Sequence, residues 1–404
     1  MINNLISSLK FFLFFTLDLF FISKSKKYKK KSIMLVRVDA IGDYILFRNF
    51  IEILKKSEKY KSYSLTLVGN QAWKDLAVTL DGAFIDSYIW INRKKFRRNI
   101  IYRYKKLRDI SSIHYEMLIS PTFSREFFYN DHIVKVASTD QKIGCFGDFG
   151  NIRKWQKRIG DKFYNILICV NEKEIFEFNK NKRLFEIIIK NNILLIKPKI
   201  TTSVCTSFPF SKLNYAVLFI GASHSQKKWH IKNFAKIARF LVKRYGLEIV
   251  LCGSSEDKVM VKKFEDHYRH NFYDLVGKTN LLELSYILSE GKLLLSNDTL
   301  APHIAVAHGK GHVFVVYSGN HFGRFIPYPK DIYDRYDAIC HPVIENNPNE
   351  YLRLCKMYGY RSGLSIDKIS PETVIERISN QFNLLGSKSS FSKCNIDKTL
   401  KNRE

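Results

Sequence analysis

From residue 33 onward, short apolar runs alternate with amphipathic stretches. IMLVRV at 33–38 reads as a buried strand, and 44–56 as a helix with apolar side chains at 45, 46, 50, 53 and 54. Further strands are expected over 64–69, 84–91, 115–120 and 142–145, with helix-like stretches between them, the rhythm of an α/β domain built on a doubly wound parallel sheet. Residues 148–212 interrupt that rhythm with Lys/Asn-rich pieces and Lys197-Pro198-Lys199, and are expected to hold the end of the first domain and a linker. The alternation then restarts: a strand over 215–220, a helix over 231–245 with Phe234, Ala238, Leu241 and Tyr245 on one face, and a strand over 247–252, with Gly246 and Gly253 at the ends. A polar helix over 256–268 and a helix opened by Asn280 with Glu283 at capping-box spacing come next, then a strand ending near Ser296. A helix over 301–308, a strand over 313–317 and a last helix after Ser370-Pro371-Glu372 complete the pattern.

Composition adds constraints. A chain of 404 residues, 46% hydrophobic, exceeds one average core and suits two α/β domains. Lys and Arg number 66 against 38 Asp and Glu, a formal +28 that predicts attraction to a polyanion: nucleic acid, an anionic membrane or a phosphorylated substrate. The seven cysteines are scattered and form no Cys-x-x-Cys pair, which points to neither a disulfide framework nor a zinc knuckle and suits a reducing compartment. Residues 5–22 are rich in Phe and Leu but interrupted by Lys10 and Asp18, and a lysine cluster (24, 26, 27, 29, 30, 31) follows them. A clean span needs about 20 apolar residues. A cleaved secretion signal carries its charge before the apolar stretch. The order seen here suits an interfacial anchor on an anionic cytoplasmic leaflet, the alternative being a solvated extension with a buried helix.

Three segments carry candidate chemistry. In LLSNDTLAPHIAVA at 294–307 an apolar strand gives way to Asp298, Thr299, Leu300 and Ala301 and then a short helix; Thr299 suits its cap, Pro302 its first turn, and His303 can approach from the side. Such a junction points free backbone N–H groups and the positive end of a helix at an anion. In FIGASHSQKKW at 219–229 a strand ends in Gly221-Ala222-Ser223, and Lys227 and Lys228 precede Trp229. Parallel strands end on one edge, so both loops are expected to face one crevice and share one diphosphate. After the first strand comes Arg37-Val38-Asp39-Ala40-Ile41-Gly42-Asp43, where Gly42 permits a tight backbone. Asp43 there is either a base for an attacking hydroxyl or, by position alone the more ordinary role, a helix N-cap. The chain has no Gly-x-Gly-x-x-Gly fingerprint, Walker loop or Asp-x-Asp pair.

Five ordered blocks, VRVDAIGDYILFRNFIEIL, KIGCFG, IGASHSQKKWHIKNFAKIARFL, LVGKTNLLELSYIL and SNDTLAPHIAVAHGK, resemble the ADP-heptose lipopolysaccharide heptosyltransferases, glycosyltransferase family 9, over most of 32–382. The resemblance implies a GT-B fold: two Rossmann-like doubly wound domains facing a central cleft. These would be an acceptor domain over 32–205 and a nucleotide-sugar donor domain over 206–365. An N-terminal apolar and basic segment (1–31), a C-terminal helix (366–386) and a tail (387–404) would be additional. It further implies inverting transfer without metal or cofactor, from a nucleotide-diphosphate sugar such as ADP-heptose to a lipopolysaccharide or other surface-glycan acceptor. Asp43 would be the general base, and Ser223, Lys227, Asp298, Thr299, Leu300, Ala301 and His303 would surround the diphosphate. Asp257 or its neighbour Glu256 would reach the ribose, with Thr279 near the base. Arg37 and Gly42 would lie on the acceptor side. The implied setting is the cytoplasmic face of the inner membrane.

Leu300 stands where the family has Gly in Asp-Thr-Gly, and a side chain there narrows the approach of a phosphate. The basic stretch 93–108 interleaves Arg97, Arg98 and other cations with Phe96, Tyr102 and Tyr104, either an acceptor-side surface for phosphorylated lipid or glycan or a solvated helix face. Rival readings are an epimerase-type enzyme of the same fold, a non-catalytic glycan binder and a basic nucleic-acid-binding protein. The diphosphate crevice disfavours the last, since nucleic-acid binding does not need it.

Overall fold

The computed structural model describes Phe14, Thr16 and residues 27–170, 175–201 and 208–386. Apart from Phe14 and Thr16, the apolar stretch 5–22 lies outside the described residues, as do the expected boundary at 205/206 and the tail.

Among the described residues, twelve strands form two six-stranded sheets. In the first, β1 (Lys27–Arg37), β2 (Ser64–Asn70), β3 (Ser87–Ile91), β4 (Ile113–Ser120), β5 (Ser138–Cys145) and β6 (Ile166–Ile168) lie in the order β3-β2-β1-β4-β5-β6. In the second, β7 (Tyr215–Phe219), β8 (Glu248–Cys252), β9 (Tyr273–Asp274), β10 (Leu293–Asn297), β11 (His312–Tyr317) and β12 (Tyr336–Cys340) lie in the order β12-β11-β10-β7-β8-β9. Every pairing is parallel. Counted from its own first strand, each sheet follows the same doubly wound order, with its switch point beside β1/β4 in one and β7/β10 in the other. The chain is thus an α/β protein of two Rossmann-like domains, the GT-B arrangement.

Burial explains the strands. Met34, Leu35, Val36 and Val38 are sealed from solvent, as are Val313 to Tyr317, because helices cover both faces of each sheet. Helix Ile231–Tyr245 buries Phe234, Ala238 and Leu241, while Tyr245 stays half-buried. The last helix, Pro371–Gly386, returns Val374 and Ile378 to the core of the second sheet.

Several boundaries differ from the sequence pattern. The expected strand 84–91 begins only at Ser87, Gly82–Phe84 being a 3-10 turn. The expected helix 44–56 is two, Ile41–Phe47 and Asn49–Lys56. Residues 148–212 do not suspend the α/β rhythm: they hold helix Lys154–Gly160, β6 and helix Glu177–Ile189. Phe178 and Phe185 of that last helix pack against Phe50, Phe185 stacked on it, and Phe185 also meets Phe47 at a tilt, contacts that a polar, Asn/Lys-rich stretch does not advertise. β1 starts at Lys27, so part of the lysine cluster is strand: Lys27, Tyr28 and Lys29 pair with Ile113, His114 and Tyr115 of β4. Phe14 is buried against protein, with Arg103 stacked over its ring at 4.1 Å and Phe128 at 5.7 Å. Among the described residues no helix is long and apolar enough to cross a membrane.

Candidate functional site

Four parallel strand ends of the second domain and one of the first open on a single cleft of about 440 Å³. The first domain contributes 40–43, directly after β1; the second contributes Gly221 to Ser223 and Lys227 after β7, Ser254, Glu256 and Asp257 after β8, and Asp298 to Leu300 after β10. The loop after β11 adds His321 and Phe325.

The two anion loops meet as expected: Lys227 Nζ stands 2.5 Å from Asp298 Oδ2. What holds them together is Asn297, a fully buried residue that the motif reading passed over. Its Nδ2 donates to the carbonyls of Ile220 (2.9 Å) and Gly221 (3.2 Å), and its Oδ1 accepts from the Trp229 amide (3.0 Å). Trp229 is buried in turn, its Nε1 donating to Ile369 O at 2.9 Å. The only sequence signal for Asn297 is an amide closing an apolar strand, since an unpaired buried amide is costly and implies partners.

Thr299 caps helix Leu300–His308, its Oγ1 accepting from Ala301 N at 3.3 Å. That bond occupies the Ala301 amide, and Pro302 has none, so the helix start offers an anion chiefly the Leu300 N–H. Ala301 itself is fully buried and does not line the cleft. Leu300 does line it, and its backbone is helical, so the position needs no glycine conformation. The departure from Asp-Thr-Gly is one of side-chain volume. Ser223 lines the cleft opposite.

His303 is 4% exposed, and its Nδ1 lies 2.7 Å from the Tyr328 hydroxyl. Burial pushes its imidazole down to about 4. It is therefore neutral near pH 7, a hydrogen-bonding group and not a cation for phosphate.

Asp43 sits in the first turn of helix Ile41–Phe47, but Ala40 is the N-cap and no side chain caps that end. The capping role is thereby excluded. Its carboxylate keeps a fifth of its surface open to the cleft. Burial, then the charge of Asp39, push the carboxyl up to about 7 against the opposing pull of Arg37. Arg37, expected on the acceptor side, is instead wholly enclosed. Its guanidinium pairs with Asp39 at 2.8 Å, reaches Asn181 Oδ1 at 3.2 Å and Glu177 at 3.5 Å, and stands 3.8 Å from Asp43. It cannot touch an acceptor, and acts on Asp43 from behind.

Glu177 also accepts from Arg324 Nε of the second domain at 2.9 Å. Burial raises its carboxyl, but Arg324 and then Arg37 outweigh that and hold it at about 2. Arg324 further bonds Ser124 and lies 3.9 Å from Asp148. Sequence reasoning missed Glu177 and Arg324, which belong to no local motif.

At the β8 end the structure separates Asp257 from Glu256. Asp257 is 2% exposed, and its Oδ2 accepts from Ser254 N (3.0 Å) and Oγ (2.6 Å) while Oδ1 pairs with Lys228 at 2.5 Å. Burial would raise its carboxyl, yet the bonds from Lys228 and Ser254 hold it below the usual range. Its oxygens are occupied, whereas Glu256 is exposed and lines the cleft. Thr279 is half-buried and outside the lining. Arg97 and Arg98 are exposed on helix Arg93–Arg98, also outside the cleft. Gly42 lines the cleft against His303. Among the described residues no group of three or more His, Cys, Asp or Glu is placed to hold a metal ion.

Residues 191–333, which contain both anion loops, match the family model of glycosyltransferase family 9 (heptosyltransferase). The chain is 24% identical over 167 residues to the lipopolysaccharide core heptosyltransferase OpsX of Haemophilus influenzae, covering 41% of this chain and 46% of that protein. It is 28% identical over 97 residues to lipooligosaccharide heptosyltransferase 2 of Haemophilus ducreyi, covering 23% and 28%. The matched stretches thus span less than half the length of these curated relatives. Among solved structures, a glycosyl transferase family 9 protein from Veillonella parvula superposes with a TM-score of 0.65 at 16% identity, covering 90% of this chain and all of that one. E. coli heptosyltransferase WaaC with ADP does so with 0.63 at 13%, covering 87% and 99%. At such identities the likeness is one of fold. The family's model matches the segment that carries both cleft loops, and the fold of its members extends over nine-tenths of the chain, so this protein is similar to glycosyltransferase family 9 in that segment and shares the family's fold.

Proposed function

We propose that the protein is an inverting glycosyltransferase that moves a heptose from ADP-heptose to a lipopolysaccharide or related surface-glycan acceptor. The observation that carries this reading is the convergence on one cleft of Asp43 from the first domain and Lys227 with the Thr299–Leu300 helix start from the second. The Asp43 carboxylate takes the proton of an acceptor hydroxyl, whose oxygen attacks the anomeric carbon from the face opposite the diphosphate. The bond from that carbon to the β-phosphate oxygen breaks, and the nucleoside diphosphate leaves with the electron pair. Lys227 and the Leu300 amide are aimed at the charge that develops there. Glu256 is the acidic side chain free to bond the ribose. The curated relatives are named for heptosyl transfer to lipopolysaccharide core and lipooligosaccharide, which supports the choice of sugar and acceptor.

Incubating the purified chain with ADP-heptose and truncated glycolipids tests the proposal directly. Acceptor-dependent release of ADP, with the sugar on the lipid, is the expected result; conversion of the donor without acceptor, as an epimerase would give, overturns it.

The acceptor places the enzyme at the cytoplasmic face of the inner membrane as a peripheral protein. The surface that fits this is helix Arg93–Arg98 with helix Ile100–Ser111, where Arg97, Arg98 and Lys105 are exposed beside Ile100 and Ile101. Charge reversal of Arg97, Arg98 and Lys105 is expected to weaken sedimentation with phosphatidylglycerol vesicles, and unchanged sedimentation removes this surface from the proposal.

A further inference from the structure

Strand order imposes an order on the cleft. Along β8-β7-β10-β11 the loops that face it carry, in turn, Glu256, then Lys227, then Thr299 and Leu300, then His321 and Phe325. With neighbouring strands about 4.8 Å apart, the β8 and β11 ends lie about 14 Å from one another. That matches the extent of a nucleoside diphosphate bearing one sugar. If the diphosphate lies on Lys227 and the nucleoside extends toward Glu256, whatever follows the second phosphate extends the other way, onto the loop after β11.

That loop, residues 318–326, is built to hold a shape. Gly319 and Gly323 have φ of +94° and +77°, and His321 between them has φ of +59°, a left-handed conformation that a residue with a Cβ adopts only at a cost. Arg324 N donates to His321 O at 3.0 Å, closing the turn. From behind, Ser362 Oγ donates to Ser318 O at 2.7 Å, and Asn320 Oδ1 accepts from Ser362 N at 2.8 Å. From the side, Arg324 ties the loop to Glu177 and Ser124 of the first domain. Facing the cleft, the His321 ring meets Phe325 at 5.8 Å edge-on, and Phe325 meets His303 at 6.4 Å, which in turn abuts Gly42 beside Asp43. Burial, then the neighbouring charges of Arg324 and Lys227, hold His321 below its ordinary value, so it faces the cleft as a neutral imidazole. A neutral ring beside an aromatic one suits hydroxyls and C–H faces and does not suit a phosphate.

We infer that residues 318–326 form the subsite for the transferred sugar, in which His321 hydrogen-bonds a sugar hydroxyl and Phe325 covers an apolar face of the sugar ring. The inference rests on the reading of the cleft as a nucleotide-sugar site and adds to it the residues that select the sugar.

Calorimetric titration of the full chain with ADP and with ADP-heptose separates the two. His321→Asn is the primary variant, because Asn tolerates the left-handed backbone, and Phe325→Leu keeps an apolar side chain at the second position. Both variants are expected to bind ADP within about twofold of the parent and ADP-heptose about tenfold more weakly, a difference that a merely structural role would not produce. Equal loss toward both ligands, or no loss toward either, overturns the sugar subsite alone. A parent chain that binds neither ligand overturns the nucleotide-sugar reading and this inference with it.

Discussion

Gly42 and His303 meet across the cleft so closely that a Cβ on Gly42 would stand 2.8 Å from His303 Cδ2 and 3.2 Å from its Nε2. His303 has little room to retreat, being 4% exposed and held by Tyr328. Gly42→Ala is therefore expected to cost about 1–3 kcal/mol by overpacking and to lower turnover by prising the Asp43 turn from the second domain. Chemical denaturation and steady-state kinetics measure both; an alanine variant with parental stability and rate would show that the contact yields freely.

The base role proposed for Asp43 requires the ionised carboxylate, and its carboxyl is pushed up to about 7 by burial and by Asp39. The rate should accordingly rise with pH through about 7 and level off above it. Asp39→Asn removes the like charge and is expected to move that midpoint toward acid. Asp43→Asn should lower turnover by about 10²- to 10⁴-fold with ADP affinity retained. Substantial residual transfer in the Asn variant would end the general-base role.

Lys227 is paired with Asp298, an arrangement from which a diphosphate can draw it. Lys227→Ala is expected to weaken ADP binding roughly 10- to 100-fold, the worth of one charge-assisted contact. It should also flatten the dependence of ADP binding on ionic strength. Parental affinity by calorimetry would remove Lys227 from the diphosphate site.

The neighbours Asp257 and Glu256 are expected to behave oppositely. Asp257→Ala breaks the bonds to Ser254 and leaves Lys228 without its partner, a loss of about 1–3 kcal/mol in stability. Glu256→Ala should leave stability within about 0.5 kcal/mol, as for other exposed positions. It should weaken ADP but not pyrophosphate, because only ADP carries a ribose. A Glu256 variant that binds ADP normally would place the ribose elsewhere.

The sequence by itself determined whatever is local in the chain. Alternating apolar periods marked most strands of both sheets, and strand-turn-helix junctions located Lys227 and the Thr299 cap, because each such signal lies within a dozen consecutive residues. Tertiary structure decided which member of each motif is free to act. Asp257 commits its oxygens to Ser254 and Lys228 while Glu256 stays exposed on the cleft wall, although the two are adjacent in sequence. Arg37 belongs to the same block as Asp43 yet is sealed behind it. The charge network that surrounds Asp43 joins Glu177 to Arg324 across 147 residues and Arg324 to Ser124 across 200. No periodicity reports such pairs, since a buried ion finds its partner by where the sheets bring chain segments together and not by spacing along the chain. The same holds for the loop after β11: its glycines are visible in the sequence, but its place beside Thr299 and Leu300 on the cleft follows from β11 lying next to β10 in the sheet.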